Sequence, residues 1–243
     1  AGTQPALRTL LEGMRYAELP KALIAFHNRH GTVRTAFEEH LLEGTQYLRA
    51  RDGSTRVHFT IAPEFREEFQ QWLDRVRNGI ERLTNSRLEV SFSEQHPSTD
   101  TLAITLEGDP FRSDDGSLLF RPAGHGALLR NLQSLNGDLV VIKNIDNVLP
   151  FEASADVVYW KRLLIGYLVR LLEDAPRDRP VRVCGVVRNE GEPGGAPFWV
   201  VDQEGRHSPQ IVESSQVDLS DAEQRRIFAS STHFNPVDLV CAV

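Results

Sequence analysis

Residues 120–150 read FRPAGHGALLRNLQSLNGDLVVIKNIDNVLP. Gly124-His125-Gly126 forms a turn, and Ala127, Leu128, Leu132 and Leu135 follow it as an apolar helical run. Asn136-Gly137 stops that helix. Leu139-Val140-Val141-Ile142 is a short apolar run that reads as a strand, and it ends in the polar tip Lys143-Asn144-Ile145-Asp146-Asn147. In open α/β sheets, ligands sit beyond the carboxyl ends of strands. Asp146, a lone carboxylate flanked by amides at such a tip, reads either as a metal or ribose site or as an Asx-turn leaving the strand.

Upstream, Leu7, Leu10, Leu11 and Met14 give a helix over residues 6–18. Pro20 breaks it, and residues 19–26 read as a short buried strand with Lys21 as the one charge at its mouth. Thr35-x-x-Glu38 is a capping box that opens a helix, with Phe37, Leu41, Leu42 and Leu48 inward. His40 on that helix reads as packed or solvated. Residues 57–62 alternate as a strand, and Pro63 starts the clearest helix of the chain. Its stripe runs from Phe65 and Phe69 through Trp72, Leu73 and Ile80 to Leu83 and reads as core. Strands follow over 88–92, leading to Gln95, and over 102–106. Residues 107–117 are a Gly/Asp-rich turn region.

Downstream of the tip, a helix over 156–173 turns Val157, Trp160, Leu164, Leu168 and Leu171 inward. Residues 181–187 read as a buried strand. Residues 188–197, RNEGEPGGAP, form a glycine-rich loop whose spacing is neither a P-loop nor a dinucleotide fingerprint. That loop reads as a lid over a ligand or as a plain surface hairpin. Residues 198–214 are strand, turn, strand, and 221–228 are helical. The chain ends in Thr232-His233-Phe234-Asn235-Pro236-Val237-Asp238 and a short apolar run; His233 reads as packed or exposed. Strands alternate with helices throughout. This gives one α/β domain over residues 1–243, with a mixed, mostly parallel sheet and helices on both faces.

The 243 residues are 40% hydrophobic and 25% charged, an ordinary globular balance. A net charge of −7 argues against nucleic acid as the main partner. Backbone N–H groups and a few focused cations still allow phosphate binding. Cys184 and Cys241, the two cysteines, each lie in an apolar run and read as reduced core thiols, which places the protein in the cytoplasm. No apolar run approaches the ~20 residues of a membrane span. Ala1-Gly2-Thr3 lacks Met and a signal peptide and reads as a cut end.

The run Pro-x-Gly-His-Gly, helix, apolar strand, Asn-Ile-Asp-Asn resembles the UTP–glucose-1-phosphate uridylyltransferases and the related UDP-N-acetylhexosamine pyrophosphorylases. The phrases LPKALIAFH, TAFEEHL, FRPAGHGAL, IKNIDNV, NEGEPGG and THFNPVDLV are similar, over nearly the whole chain, to a bacterial family of the DUF type that itself resembles those enzymes. The resemblance implies a GT-A-like, Rossmann-like nucleotidyltransferase fold. It also implies Mg²⁺ as cofactor, with a nucleoside triphosphate (UTP) and a sugar-1-phosphate as partners. Lys21 matches the lysine ending the nucleotide-binding signature; its other reading is a solvated strand-end lysine. Gln95 is similar to the glutamine of a base- or ribose-contacting loop. Gly124, His125 and Gly126 would face the nucleotide, and Asn147, beside Asp146, would also bind substrate. Glu213 matches a glutamate that grips sugar hydroxyls, and Asn235 an asparagine near the metal, although Pro236 departs from the pattern.

On this likeness the sugar phosphate attacks the α-phosphorus in line and pyrophosphate leaves. Catalysis is then positioning plus charge neutralisation. The Gly-x-Gly-Thr-Arg-like loop that should precede Pro20-Lys21 does not occur in residues 1–18. The domain is therefore expected to be truncated, and the isolated chain to show little transferase activity. Two other readings stay open: a non-catalytic nucleotide or nucleotide-sugar binding module, and a phosphosugar-binding protein of another reaction type.

Overall fold

The computed structural model describes residues 13, 16, 18–122, 124–174, 181–192 and 194–242. Most of the helix expected over residues 6–18 lies outside them. The chain divides into two compact units, residues 1–136 and 137–243.

The first unit grows from the capping box. Glu38 N donates to Thr35 Oγ1 at 3.2 Å, and Thr35 N donates to Glu38 Oε2 at 2.8 Å. Helix α1 (Ala36–Tyr47) follows and buries Phe37, Leu41 and Leu42. Before it, β1 (Ala25–Arg29) and β2 (Thr32–Thr35) pair antiparallel. Their turn sets His30 and Gly31 at φ 50 and 80, the left-handed backbone that two-residue hairpins need. Residues 19–26 do not form one strand: Lys21–Leu23 is a single 3₁₀ turn, pinned by Leu23 N donating to Pro20 O at 2.9 Å.

β3 (Ser54–Ile61) and β4 (Arg87–Glu94) run parallel, joined through a 3₁₀ turn at Pro63–Phe65 and helix α2 (Arg66–Thr84). Phe69, Leu73 and Ile80 are the buried line of α2, and Asn85 ends it in the left-handed conformation. The Phe37 ring lies 4.7 Å from Phe59, 5.5 Å from Phe69 and 6.2 Å from Phe92, so helix and strand sequence patterns converge on one aromatic core. Leu83 is corrected to a surface residue, 58% exposed, because the buried stripe ends a turn early. The strand expected over 102–106 shrinks to β5 (Thr101–Leu102), paired with β6 (Phe120–Arg121). Positive-φ turns at Gly108 and Gly116 bend the intervening chain, which leaves Leu106 wholly exposed. A 3₁₀ turn at His125–Leu128 then leads into the short helix α3 (Leu129–Gln133).

In the second unit the last strand, β13 (Asp238–Ala242), lies between β7 (Leu139–Lys143) and β8 (Val181–Cys184), antiparallel to both. Helix α4 (Ala155–Asp174) packs on β8 and β13. Its buried line is Ser154, Val158, Lys161 and Leu168; Trp160, expected inward, is 62% exposed. The run 181–187 breaks at Gly185, and β9 (Val187–Arg188) pairs instead with β12 (His233–Phe234). β10 (Ala196–Val201) and β11 (His207–Val212) form the expected hairpin, and α5 (Ala222–Ala229) follows. Cys184 and Cys241 are free thiols, and burial pushes both pKa values up.

The architecture is thus mixed α/β, but the expected mostly parallel sheet is corrected. Among the described residues β3 with β4 is the parallel pair, and the other strand pairings are antiparallel in small sheets. Apolar runs such as 139–142 and 239–242 carry no directional information, so their order was not readable from pattern. Among the described residues no helix is long and apolar enough to cross a membrane. The aromatic core yields a differential expectation. Phe37→Ala should destabilise the chain by about 3–5 kcal/mol in urea unfolding, whereas Leu83→Ala should stay within about 0.5 kcal/mol of the parent.

Candidate functional site

The candidate residues fall on both units. Lys21, Gln95 and the 124–126 turn belong to the first, and Asp146, Asn147, Glu213 and Asn235 to the second.

In the first unit, Lys21 is exposed while its neighbours Ala22 and Leu23 are buried, so the 3₁₀ turn is anchored under an outward lysine. Gln95 follows the carboxyl end of β4, with Nε2 3.5 Å from Asp100 Oδ1. A polar network missed in the sequence ties this end to the helix behind the Gly-His-Gly turn. Asn131, 8% exposed, donates from Nδ2 to Ser93 Oγ at 2.7 Å and to Glu94 O at 2.9 Å. His58 spans Ser91 Oγ and Ser93 Oγ, each at 2.8 Å, and burial holds its pKa below the usual imidazole range. One scaffold therefore carries both Gln95 and the 124–126 turn. Neither Gly124 nor Gly126 has a positive φ, and a Cβ on either would meet open space. Local backbone does not require glycine there. The His125 side chain lies outside the described residues.

In the second unit, Asp146 is exposed in a turn closed by Asn147 N donating to Asn144 O at 3.1 Å. Asn147 Nδ2 donates to Pro236 O at 2.9 Å. Asn235 is buried, and its Nδ2 donates to Gly185 O at 2.5 Å while its Oδ1 accepts from Val237 N at 3.0 Å. Its backbone N donates to Gly195 O at 2.7 Å. A Cβ on Gly195 would lie 2.7 Å from Glu213 Oε1 and 2.6 Å from Ile211 Cγ2. Glycine is thus required where the end of the glycine-rich loop squeezes between Glu213 and Asn235. Glu213 itself is exposed just after β11, its N donating to Gln216 Oε1 at 2.8 Å. Asn235 is the node: it joins Glu213 through Gly195, and Asp146 through Pro236 and Asn147.

Val237 in the same turn has φ +55, a left-handed conformation costly for a β-branched residue, on the order of 1–3 kcal/mol. Next to it, the Asp238 carboxylate pairs with Lys161, whose side chain is fully buried. Sequence reading passed over this pair. The available signal was a lone lysine at position 161, in phase with Val158 and Leu168 on the apolar side of a helix.

Among the described residues no group of three or more His, Cys, Asp or Glu side chains is placed to hold a metal. Mg²⁺ does not require one, because it keeps several waters and binds through one or two carboxylates plus phosphate oxygens. The exposed Asp146 carboxylate fits that pattern. Asn235 Oδ1 has one lone pair left after its bond from Val237. The packing around Gly195 gives a direct expectation. Gly195→Ala should cost about 1–3 kcal/mol in denaturant unfolding, because Ile211 and the Glu213 carboxylate must both move aside.

A search of curated protein sequences gives no match. Among solved structures the chain is similar to two mutant forms of UDP-glucose pyrophosphorylase from Leishmania major in complex with UDP-glucose. One aligns with a TM-score of 0.53 at 17% identity, covering 90% of this chain and 45% of that one. The other aligns with a TM-score of 0.51 at 16% identity, covering 91% and 45%. The chain therefore spans less than half the length of these structures, and the likeness is one of fold. A family model described as a domain of unknown function, DUF4301, matches residues 3–177 and 175–243, and the chain belongs to that family.

Proposed function

We propose that this chain is the nucleotidyltransferase-like part of a protein that moves a nucleotidyl group from a nucleoside triphosphate, UTP, to a sugar-1-phosphate and releases pyrophosphate. In this reading the chain has a GT-A-like fold. The observation that carries it is the second-unit constellation: an exposed carboxylate on a strand tip, Asp146, tied through Asn147, Pro236 and Asn235 to Gly195 and Glu213. The fold likeness supports it, and the solved relatives are described as bound to UDP-glucose.

Asp146 would hold Mg²⁺, with the remaining Asn235 lone pair as a second ligand; the ion would offset phosphate charge. Lys21 would supply a compact cation toward phosphate. Gln95 and the backbone of residues 124–126 would meet the base and ribose, with Asn147 keeping Asp146 in place. Glu213 would accept hydrogen bonds from sugar hydroxyls. The attacking group is already an anion, so no general base or covalent enzyme intermediate is needed, and catalysis is positioning and electrostatics.

A second reading is a non-catalytic nucleotide-sugar binding module. Calorimetric titration with UTP addresses the shared part of both readings. Asp146→Ala should fold as the parent does and lose Mg²⁺-dependent UTP binding, while Glu213→Ala should retain it. Equal Mg²⁺–UTP binding by parent and Asp146→Ala would sink the assignment.

A further inference from the structure

The turn formed by Asn235, Pro236, Val237 and Asp238 is held at every residue. Asn235 bonds Gly185 O and receives Val237 N; Pro236 O receives Asn147; Asp238 O receives Gly185 N at 2.8 Å. The Asp238 carboxylate is closed off by Lys161 from helix α4. β13 runs antiparallel to β7, so Asp238 faces Lys143 and its turn lies beside the tip that bears Asp146.

We propose that Lys161 is a positioning residue of the candidate site. By fixing Asp238 it holds the 235–238 turn, and through the bond between Pro236 and Asn147 that turn sets the tip in which Asp146 stands. The inference rests on the reading of Asp146 as the metal-binding carboxylate. Three features point from the pair to the tip rather than to general stability. A buried ion pair gains little over an apolar pair of similar volume, so packing alone does not call for a lysine in phase with Val158 and Leu168. The pair is made at the first residue of β13, next to the turn, not in the middle of the sheet. The turn contains a β-branched residue at φ +55, a conformation that persists only where its surroundings over-determine it.

Two variants test the chain of contacts. Lys161→Met with Asp238→Asn removes both charges of the pair together. Asn147→Ala leaves the ion pair intact and cuts the last link. The first readout is amide hydrogen exchange without ligand. In the double variant, exchange at residues 144–147 and 235–238 should rise by about tenfold or more, with the 196–212 hairpin unchanged. In Asn147→Ala it should rise at 144–147 and stay as in the parent at 235–238. The second readout is Mn²⁺–UTP binding followed by electron paramagnetic resonance, where the double variant should bind about tenfold more weakly. Unchanged exchange at 144–147 in either variant overturns the proposal, whatever the nucleotide does. Faster exchange in both variants, with a parent that binds no Mn²⁺–UTP, supports the positioning chain and removes the metal reading of Asp146 instead.

Discussion

Val237 holds a left-handed backbone at φ +55, in a turn fixed by hydrogen bonds on both sides of it. Asn235 on one side and Asp238 on the other use side chains to fix the turn; the buried Lys161 fixes Asp238 in its place. A lysine enclosed by a helix face and a sheet needs its charge answered, and Asp238 does so; removing one partner of such a pair costs about 3–5 kcal/mol. The turn then reaches outward along two routes: Asn147 toward the strand tip of Asp146, and Gly195 toward Glu213. Strain at one residue, balanced by several hydrogen bonds, is the arrangement expected where geometry matters more than local stability.

The first unit solves a simpler problem. Its parallel strands β3 and β4 cannot be joined by a tight turn, so α2 crosses between them and four phenylalanines fill the space against α1. Parallel strands put both carboxyl ends on one edge, and Gln95 leaves from that edge. Asn131 hydrogen-bonds the strand end to the helix behind Gly124 and Gly126 through Ser93 Oγ and Glu94 O. Each unit thereby carries part of the candidate set on its own framework.

Local order was well marked in the sequence. The Thr35–Glu38 box, the α2 periodicity and the 198–214 strand–turn–strand all rest on neighbours within a few residues, and the structure has each of them. What depended on distant partners was not legible. The placement of β13 between β7 and β8 comes from pairings that apolar runs of similar composition do not specify. Lys161 lies inward against Asp238, far along the chain, while Trp160, apolar in sequence, is exposed, so composition alone gives the wrong phase for this helix. Asn235 stood out through resemblance alone; its hydrogen bonds to Gly185 O and Val237 N depend on a turn whose left-handed residue is a valine, where glycine or asparagine would have announced it.

Isotope exchange tests whether this scaffold serves nucleotidyl transfer without prior choice of sugar. Labelled pyrophosphate is incubated with UTP, a panel of sugar-1-phosphates and Mg²⁺ in the presence of the protein. Label should enter UTP only when Mg²⁺ and one of the sugar phosphates are both present. Saturable Mg²⁺–UTP binding with no label transferred for any sugar phosphate would contradict it and leave a nucleotide-binding module.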